Sequence, residues 1–206
     1  MHYFKLLRIH NVFKRFTTMI EPLSLDEAYL DVTEKAQELG SATQVAKLIR
    51  QQILEEVNLT ASAGVSFNKF LAKIASDMDK PNGLFVIRPE QAQEFIEQLD
   101  IRKFFGVGKV TEQKMHNLGI YNGADLKRLT EVELQTEFGQ SGAYYYRVAR
   151  GIDERPVRAH RIRKSIGKET TFDSNIINKA TIWHTLLGIS ERLESILEEK
   201  QLLAKT

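Results

Sequence analysis

The stretch Ser24-Leu25-Asp26-Glu27-Ala28-Tyr29-Leu30-Asp31 sets two adjacent carboxylates between short apolar runs. Ile20 to Leu25 reads as one strand and Ala28 to Val32 as a second, with Asp26 and Glu27 at the bend between them. Neighbouring carboxylates at a bend can aim several oxygens at one point, as a hard divalent cation such as Mg²⁺ requires. Two such cations about 3.5–4 Å apart are a recurring apparatus of phosphoryl and nucleotidyl transfer. Read alone, the octapeptide is more readily an acidic turn left in water, since such turns are common.

Around this bend the chain alternates helices and strands. Tyr3 to Phe16 carries Phe4, Leu7, Val12, Phe13 and Phe16 at the spacing of an amphipathic helix. Ser41-Ala42-Thr43-Gln44 has the form of a capping box, and Val45, Leu48, Ile49, Ile53 and Val57 continue a helix to about Asn58. Leu59 to Ser66 reads as a strand in which Gly64 permits a close backbone approach. Asn68 opens a short helix with Phe70, Leu71 and Ile74; Lys80-Pro81-Asn82-Gly83 is a turn, and Leu84 to Ile87 a strand. Residues 1–87 thus form an α+β layer.

From Arg88 to about Asp153 the pattern is helical throughout. In Ile101-Arg102-Lys103-Phe104-Phe105-Gly106-Val107-Gly108-Lys109-Val110-Thr111, followed by Leu118-Gly119-Ile120, two short helices flank a glycine turn. A helix that begins at such a turn offers free N–H groups and the positive end of its dipole to a phosphate. Gly106, Val107, Gly108 and Lys109 are therefore read as a helix–hairpin–helix contact to DNA; an ordinary glycine-rich connection is the other reading. Arg147, Arg150, Arg155, Arg158, Arg161, Arg163, Lys164 and Lys168 form a basic stripe, with residues 156–163 as a linker. The stripe, Arg161, Arg163 and Lys164 included, suits a phosphate backbone and also suits a solvated tether. Lys164 to Phe172 is expected to be a strand. Ile182 to Leu203 is expected to be a helix with an apolar stripe of Trp183, Leu186, Leu187, Leu193, Ile196 and Leu197.

Composition narrows the class further. The chain has 206 residues, 42% hydrophobic and 27% charged, with a net charge of +2. It contains no cysteine, which excludes disulfides and thiolate metal sites, and its five histidines are scattered without zinc-ligand spacing. No apolar run approaches a membrane span and no secretory leader is evident, so a cytoplasmic protein with no membrane partner is expected.

Taken together, these stretches resemble the Y-family translesion DNA polymerases, in particular their bacterial DinB-like branch. The resemblance is carried by Ile20–Thr33, Thr60–Val65, Phe70–Met78, Lys80–Gly83, the Gly106 hairpin, Gly151-Ile152-Asp153-Glu154-Arg155 and Lys164–Glu169, in the family's order. It implies a partial palm domain at 1–87, an all-α thumb at 88–155, the linker at 156–163 and the start of an α+β little-finger domain at 164–206. Asp26 then corresponds to the second metal-binding aspartate, and Glu27 to the adjacent catalytic, metal-binding glutamate. Lys80 corresponds to a lysine that contacts the incoming triphosphate, with Ser24 at most a supporting residue. The implied reaction is template-directed DNA synthesis past lesions, as part of damage tolerance and repair. The implied partners are primer–template DNA and deoxynucleoside triphosphates, with two Mg²⁺ ions and a sliding clamp expected for the complete enzyme.

Departures from the family pattern matter as well. The family's first strand, with its metal-binding aspartate, and the fingers domain are not recognisable here, and the little finger is short of its four-stranded sheet. A fragment with little or no polymerase activity of its own is therefore expected. The alternative is a non-catalytic, sequence-independent DNA-binding module. A third reading is self-association through the apolar face of 182–203; Gln201-Leu202-Leu203 reads as a helix end and not as a clamp motif.

Overall fold

Ile20–Pro22 (β1) and Ala28–Leu30 (β2) pair antiparallel in a computed structural model that describes residues 2–160 and 164–203. The register sets Ile20 opposite Leu30, Glu21 opposite Tyr29 and Pro22 opposite Ala28. The N–H groups of Leu23 and Ser24 both donate to the Glu27 carbonyl, at 2.8 and 3.2 Å, so the bend is five residues wide and β1 stops before Leu25.

Helix α1 (His2–Lys14) and helix α3 (Ala42–Val57) pack against each other behind this hairpin. Val12, Phe16, Val45, Ile49 and Ile53 form the shared core, with Leu30 and Val32 against it. The Ser41 hydroxyl accepts the Gln44 N–H at 3.1 Å and starts α3 at Ala42; Asn58 ends it in the left-handed region, with φ 54°. Between them runs α2 (Thr33–Leu39), closed by Gly40 at φ 91°. This helix buries no residue, so its sequence carries no apolar period to announce it. Its start is set by Asp31, whose carboxylate accepts from the Thr33 N–H at 3.0 Å and hydroxyl at 2.7 Å.

Ala63–Val65 (β3) and Leu84–Val86 (β4) pair in parallel, and α4 (Lys69–Met78) is the crossover between them. The Asn68 side chain accepts the Leu71 N–H at 2.9 Å and opens α4. Gly64 faces the α4 backbone so closely that a Cβ would lie 2.1 Å from the Ala72 carbonyl oxygen. The strand expected over 59–66 is thus only its last part, because backbone pairing exists only where β4 lies alongside.

Five helices follow: α5 (Pro89–Gln98), α6 (Lys109–Asn117), α7 (Gly123–Arg128), α8 (Glu131–Phe138) and α9 (Gln140–Val148). A 3₁₀ turn at Ile101–Lys103 stands where a first α-helix of the hairpin was expected. Ile96, Ile101, Phe104, Met115, Ile120, Leu126, Leu134, Tyr145 and Val148 form one core with Phe70, Leu71 and Ile74 of α4. Helix α4 therefore serves both halves of this unit. The return of the chain is bonded to it: Asn68 Nδ2 donates to the Gly151 carbonyl at 2.9 Å, and Asp153 Oδ2 accepts the Phe70 N–H at 2.9 Å.

Residues 1–160 form one unit and 161–206 another. In the second, α10 (Lys179–Glu199) is started by Asn178, whose side chain accepts the Ala180 N–H at 2.9 Å. The strand expected over Lys164 to Phe172 is a correction: no strand occurs among residues 164–178. An isolated extended segment with no second strand to share its N–H and C=O groups does not hold a ladder. Helix α10 begins three residues before the expected Ile182, and Trp183, Leu186 and Leu187 are exposed within this unit.

Candidate active site and nucleic-acid interface

The β1–β2 bend presents Asp26 exposed and Glu27 half-buried. The Ser24 hydroxyl donates to Asp26 Oδ1 at 2.8 Å and fixes that carboxylate. Glu27 Oε1 lies 3.1 Å from Lys73 Nζ and 3.8 Å from Lys80 Nζ. Lys73 also meets Asp77 Oδ2 at 2.6 Å, and Lys80 meets Asp77 Oδ1 at 2.6 Å. Two carboxylates and two ammonium groups thus alternate around a closed ring. Positions 73 and 77 are one helical turn apart on α4, and Lys80 follows at the KPNG turn, so all three side chains share one face.

Burial pushes the Lys73 ammonium down, but its contacts with Asp77 and Glu27 outweigh that and hold it above the ordinary lysine value. Burial likewise pushes Asp77 up, and hydrogen bonds from Lys73 and Lys80 bring it below the usual carboxylate range. Lys73 and Asp77 are therefore both charged at neutral pH. The turn that carries Lys80 is tied from behind by Arg50. Its Nε donates to the Ala61 carbonyl at 2.8 Å and its Nη2 to the Asn82 carbonyl at 2.6 Å and Oδ1 at 2.9 Å.

A second ionic knot lies beside the first. Lys69, nearly buried, donates to both oxygens of Glu21 at 2.7 Å, and Glu21 Oε2 also accepts the Arg158 N–H at 2.8 Å. Asp153 binds the Arg155 guanidinium through both oxygens, at 2.6 and 2.8 Å. Arg155 in turn lies over the Tyr144 ring, 5.2 Å from its centroid. Glu21, Lys69 and the start of the basic tether are thereby joined.

Asp26 and Glu27 have the oxygen chemistry that Mg²⁺ takes, and one such ion typically uses one or two carboxylates with phosphate oxygens and water completing its shell. The pair fits one ion on those terms. No cluster of three or more His, Asp or Glu side chains suited to a metal occurs among the described residues. A second ion would need a further carboxylate.

In the hairpin, Gly106 takes φ 91°, a backbone that favours glycine, and Gly108 starts α6 in extended geometry with no side-chain cap. Tyr144 donates its hydroxyl to the Phe105 carbonyl at 3.3 Å, and Tyr145 donates to that of Gly106 at 3.5 Å, so α9 braces the turn. Val107 packs against the core, whereas Gly106, Gly108, Lys109 and Val110 are exposed. Lys164 is exposed in the second unit; Arg161 and Arg163 lie outside the described residues. An open groove formed by Leu193, Leu197, Leu202 and Leu203 belongs wholly to that second unit and holds none of the candidate residues.

The structure thus joins Glu27 with Lys80, which the sequence placed far apart. It adds Lys73 and Asp77, whose signal was the polar face of α4 at one-turn spacing. Glu21 and Lys69 carried no local signal, because their pairing joins distant positions, whereas Asp153 and Arg155 pair within the Gly151–Arg155 stretch that the sequence had already singled out.

Three family models match the chain: the impB/mucB/samB family over residues 5–77, the DNA polymerase-iota thumb domain over 103–153, and the impB/mucB/samB family C-terminal domain over 163–206. The chain is 51% identical over 199 residues to the DNA polymerase IV of Listeria monocytogenes serotype 4b, covering 97% of this chain and 56% of that protein. It is similar to the crystal structure of DinB from Sulfolobus solfataricus, with a TM-score of 0.70, 37% identity, and coverage of 76% of this chain and 46% of that one. An insertion ternary complex of Dbh DNA polymerase gives a TM-score of 0.71 at 37% identity, with the same coverage. The chain therefore spans about half the length of the proteins it matches.

Proposed function

We propose, from the premise that this chain belongs to the Y-family DNA polymerases through the impB/mucB/samB family, that it supplies part of an enzyme for template-directed DNA synthesis past lesions. The observation that carries this reading is the placing of Glu27 and Lys80, from two separate elements, 3.8 Å apart at one site. A carboxylate for a cation beside an ammonium for a phosphate is the pairing that nucleotidyl transfer uses.

In this reading Asp26 and Glu27 are the metal-binding and catalytic carboxylates, and Ser24 orients Asp26 through its 2.8 Å hydrogen bond. Asp26 and Glu27 would hold Mg²⁺, which would supply Lewis acidity toward a 3′-hydroxyl and counter-charge for a triphosphate. Lys80 is the cation for the triphosphate of an incoming deoxynucleotide, and the Arg50 clamp keeps its turn in place. Residues 88–155 act as the thumb. Gly106, Gly108 and Lys109 meet the phosphates of primer–template DNA, Val107 anchors the turn, and Arg161, Arg163 and Lys164 are assigned to DNA by their charge. Residues 1–87, 156–163 and 164–206 are the partial palm, the linker and the start of the little finger.

Two carboxylates hold one ion, and the complete enzyme is expected to use two. We therefore hold the 206-residue chain to have little or no extension activity by itself. A cytoplasmic setting, a role in damage tolerance and a sliding-clamp partner belong to the complete enzyme in this reading. The second reading, a DNA-gripping module without catalysis, is favoured by the braced and exposed hairpin.

The test is duplex binding and primer extension with Mg²⁺ for the native chain, Asp26→Ala and Gly108→Asp. Duplex binding that is insensitive to sequence, steeply salt-dependent and lost in Gly108→Asp supports the thumb assignment. Affinity unchanged by Gly108→Asp refutes it. Extension that disappears in Asp26→Ala supports a working site and overturns the inactivity claim; extension that survives it refutes the role of Asp26.

A further inference from the structure

We propose that Asp77 is a positioning residue: its carboxylate holds Lys80 off Glu27 and so leaves Glu27 open to a divalent cation. This rests on the reading of Asp26 and Glu27 as the cation site. The distances carry it. Lys80 Nζ makes its direct contact with Asp77 Oδ1 at 2.6 Å and stands back from Glu27 Oε1 at 3.8 Å. Lys73, largely buried, already bridges Glu27 at 3.1 Å and Asp77 at 2.6 Å.

Ordinary one-turn ion pairs on a helix surface join one acid to one base. Asp77 differs, because its two oxygens engage two different lysines and both lysines also face the same Glu27 oxygen. With Asp77 present, two anions balance two cations. Without it, both ammonium groups face Glu27 alone, and Lys80 is the mobile one. Half of its side chain is in water, on a flexible stem at a turn. It closes the remaining gap and pairs with Glu27. A divalent cation must then displace an ammonium from the carboxylate it needs, and a triphosphate must draw Lys80 off the same group.

The first experiment uses lysine side-chain NMR of the 206-residue chain, without metal. The change that Glu27→Gln causes at the Lys80 ε-methylene is expected to be small in the native background and several-fold larger in Asp77→Asn. An equal response in both backgrounds overturns the proposal. The same spectra show whether each variant is folded.

The second experiment titrates Mn²⁺ as a probe, followed by electron paramagnetic resonance. Asp77→Asn should weaken binding about tenfold, from loss of one nearby negative charge and closure of Lys80. Asp77→Asn with Lys80→Ala should restore it. Asp77→Asn with Lys47→Ala, an exposed lysine of α3 outside the ring, restores the net charge and should leave binding weak. Equal rescue by both double variants would mean that bulk charge, and not Lys80, is responsible, and would overturn the proposal. If even the native chain fails to bind Mn²⁺ while the NMR result stands, the cation reading of Asp26 and Glu27 fails and the holding of Lys80 by Asp77 survives.

Discussion

Replacing Gly64 by alanine should loosen the first unit at the point where β3 meets α4. The added Cβ would lie 2.1 Å from the Ala72 oxygen, 2.3 Å from the Ser76 nitrogen and 2.8 Å from the Ala75 carbonyl carbon. Heavy-atom contacts relax to about 3.5 Å, so α4 must retreat by roughly 1 Å or more. All three atoms are backbone, and no rotamer change relieves them. Overpacking of this kind costs about 1–3 kcal/mol, and a clash with an entire helix backbone belongs at the upper end, about 3 kcal/mol. For a unit of this size that corresponds to a fall in melting temperature of about 6–12 °C. The assay can separate the two units. Every described tyrosine lies in residues 1–160 and the single tryptophan, Trp183, lies in α10. Tyrosine near-ultraviolet dichroism should therefore melt early in Gly64→Ala, and Trp183 fluorescence reports on residues 161–206 as a separate signal. A tyrosine transition within about 0.5 kcal/mol of the native one would refute the reasoning, because surface-like substitutions have that size of effect.

The ionic groups make further predictions. Burial pushes Glu21 up, but bonds from Lys69 and the Arg158 N–H outweigh it and hold the carboxyl below its ordinary value. Its stabilisation is thus present above about pH 4.3, the unfolded value, and is lost as pH falls through the folded one; Glu21→Gln should flatten that acid slope in denaturant titrations, and an unchanged slope would sink the assignment. Lys69→Met leaves Glu21 half-buried without its ammonium and should cost about 2–4 kcal/mol, read from urea midpoints. At the alkaline end, burial pushes the Tyr29 and Tyr144 phenols up to about 12. The unfolded chain ionises near about pH 10, so stability should decline from there to the folded value; Tyr144→Phe should reduce the decline, and tyrosinate absorbance should show a late-titrating class.

Much of this architecture was legible in local sequence. Ser41 and Asn68 announce α3 and α4 because a side-chain oxygen beside a free helix N–H is a local event. Gly64 announced a close approach, and the backbone of α4 is what it approaches. The β1–β2 bend with Asp26 and Glu27 falls where the alternation of apolar runs placed it. Helix α2 was not legible, since it buries nothing and so shows no apolar period. The strand expected at 164–172 failed for the opposite reason: alternation describes a face, but pairing requires a neighbour. Around the site, the acidic pair and Lys80 were visible through their motifs. Lys73 and Asp77 became significant only once folding brought α4 to the bend. Glu21 and Lys69 were silent because their pairing depends on burial, which no spacing rule expresses.

The seam between α4 and the returning chain has a consequence for the order of events in folding. Asp153 supplies the acceptor for the Phe70 N–H, and Gly151 the acceptor for the Asn68 amide. Helix α4 is therefore finished at its start by residues synthesised after the whole helical half. Such distant contacts form late, since a long loop must close before they contribute. A nascent chain that has just completed β4 has Asn68 capping α4 at Leu71 but leaves the Phe70 N–H without its acceptor until residues 151–153 arrive. The Phe70 amide should then exchange with solvent as slowly as the entire unit opens, and not at the rate of a fraying helix end. One backbone N–H thereby reports whether both halves have closed on each other.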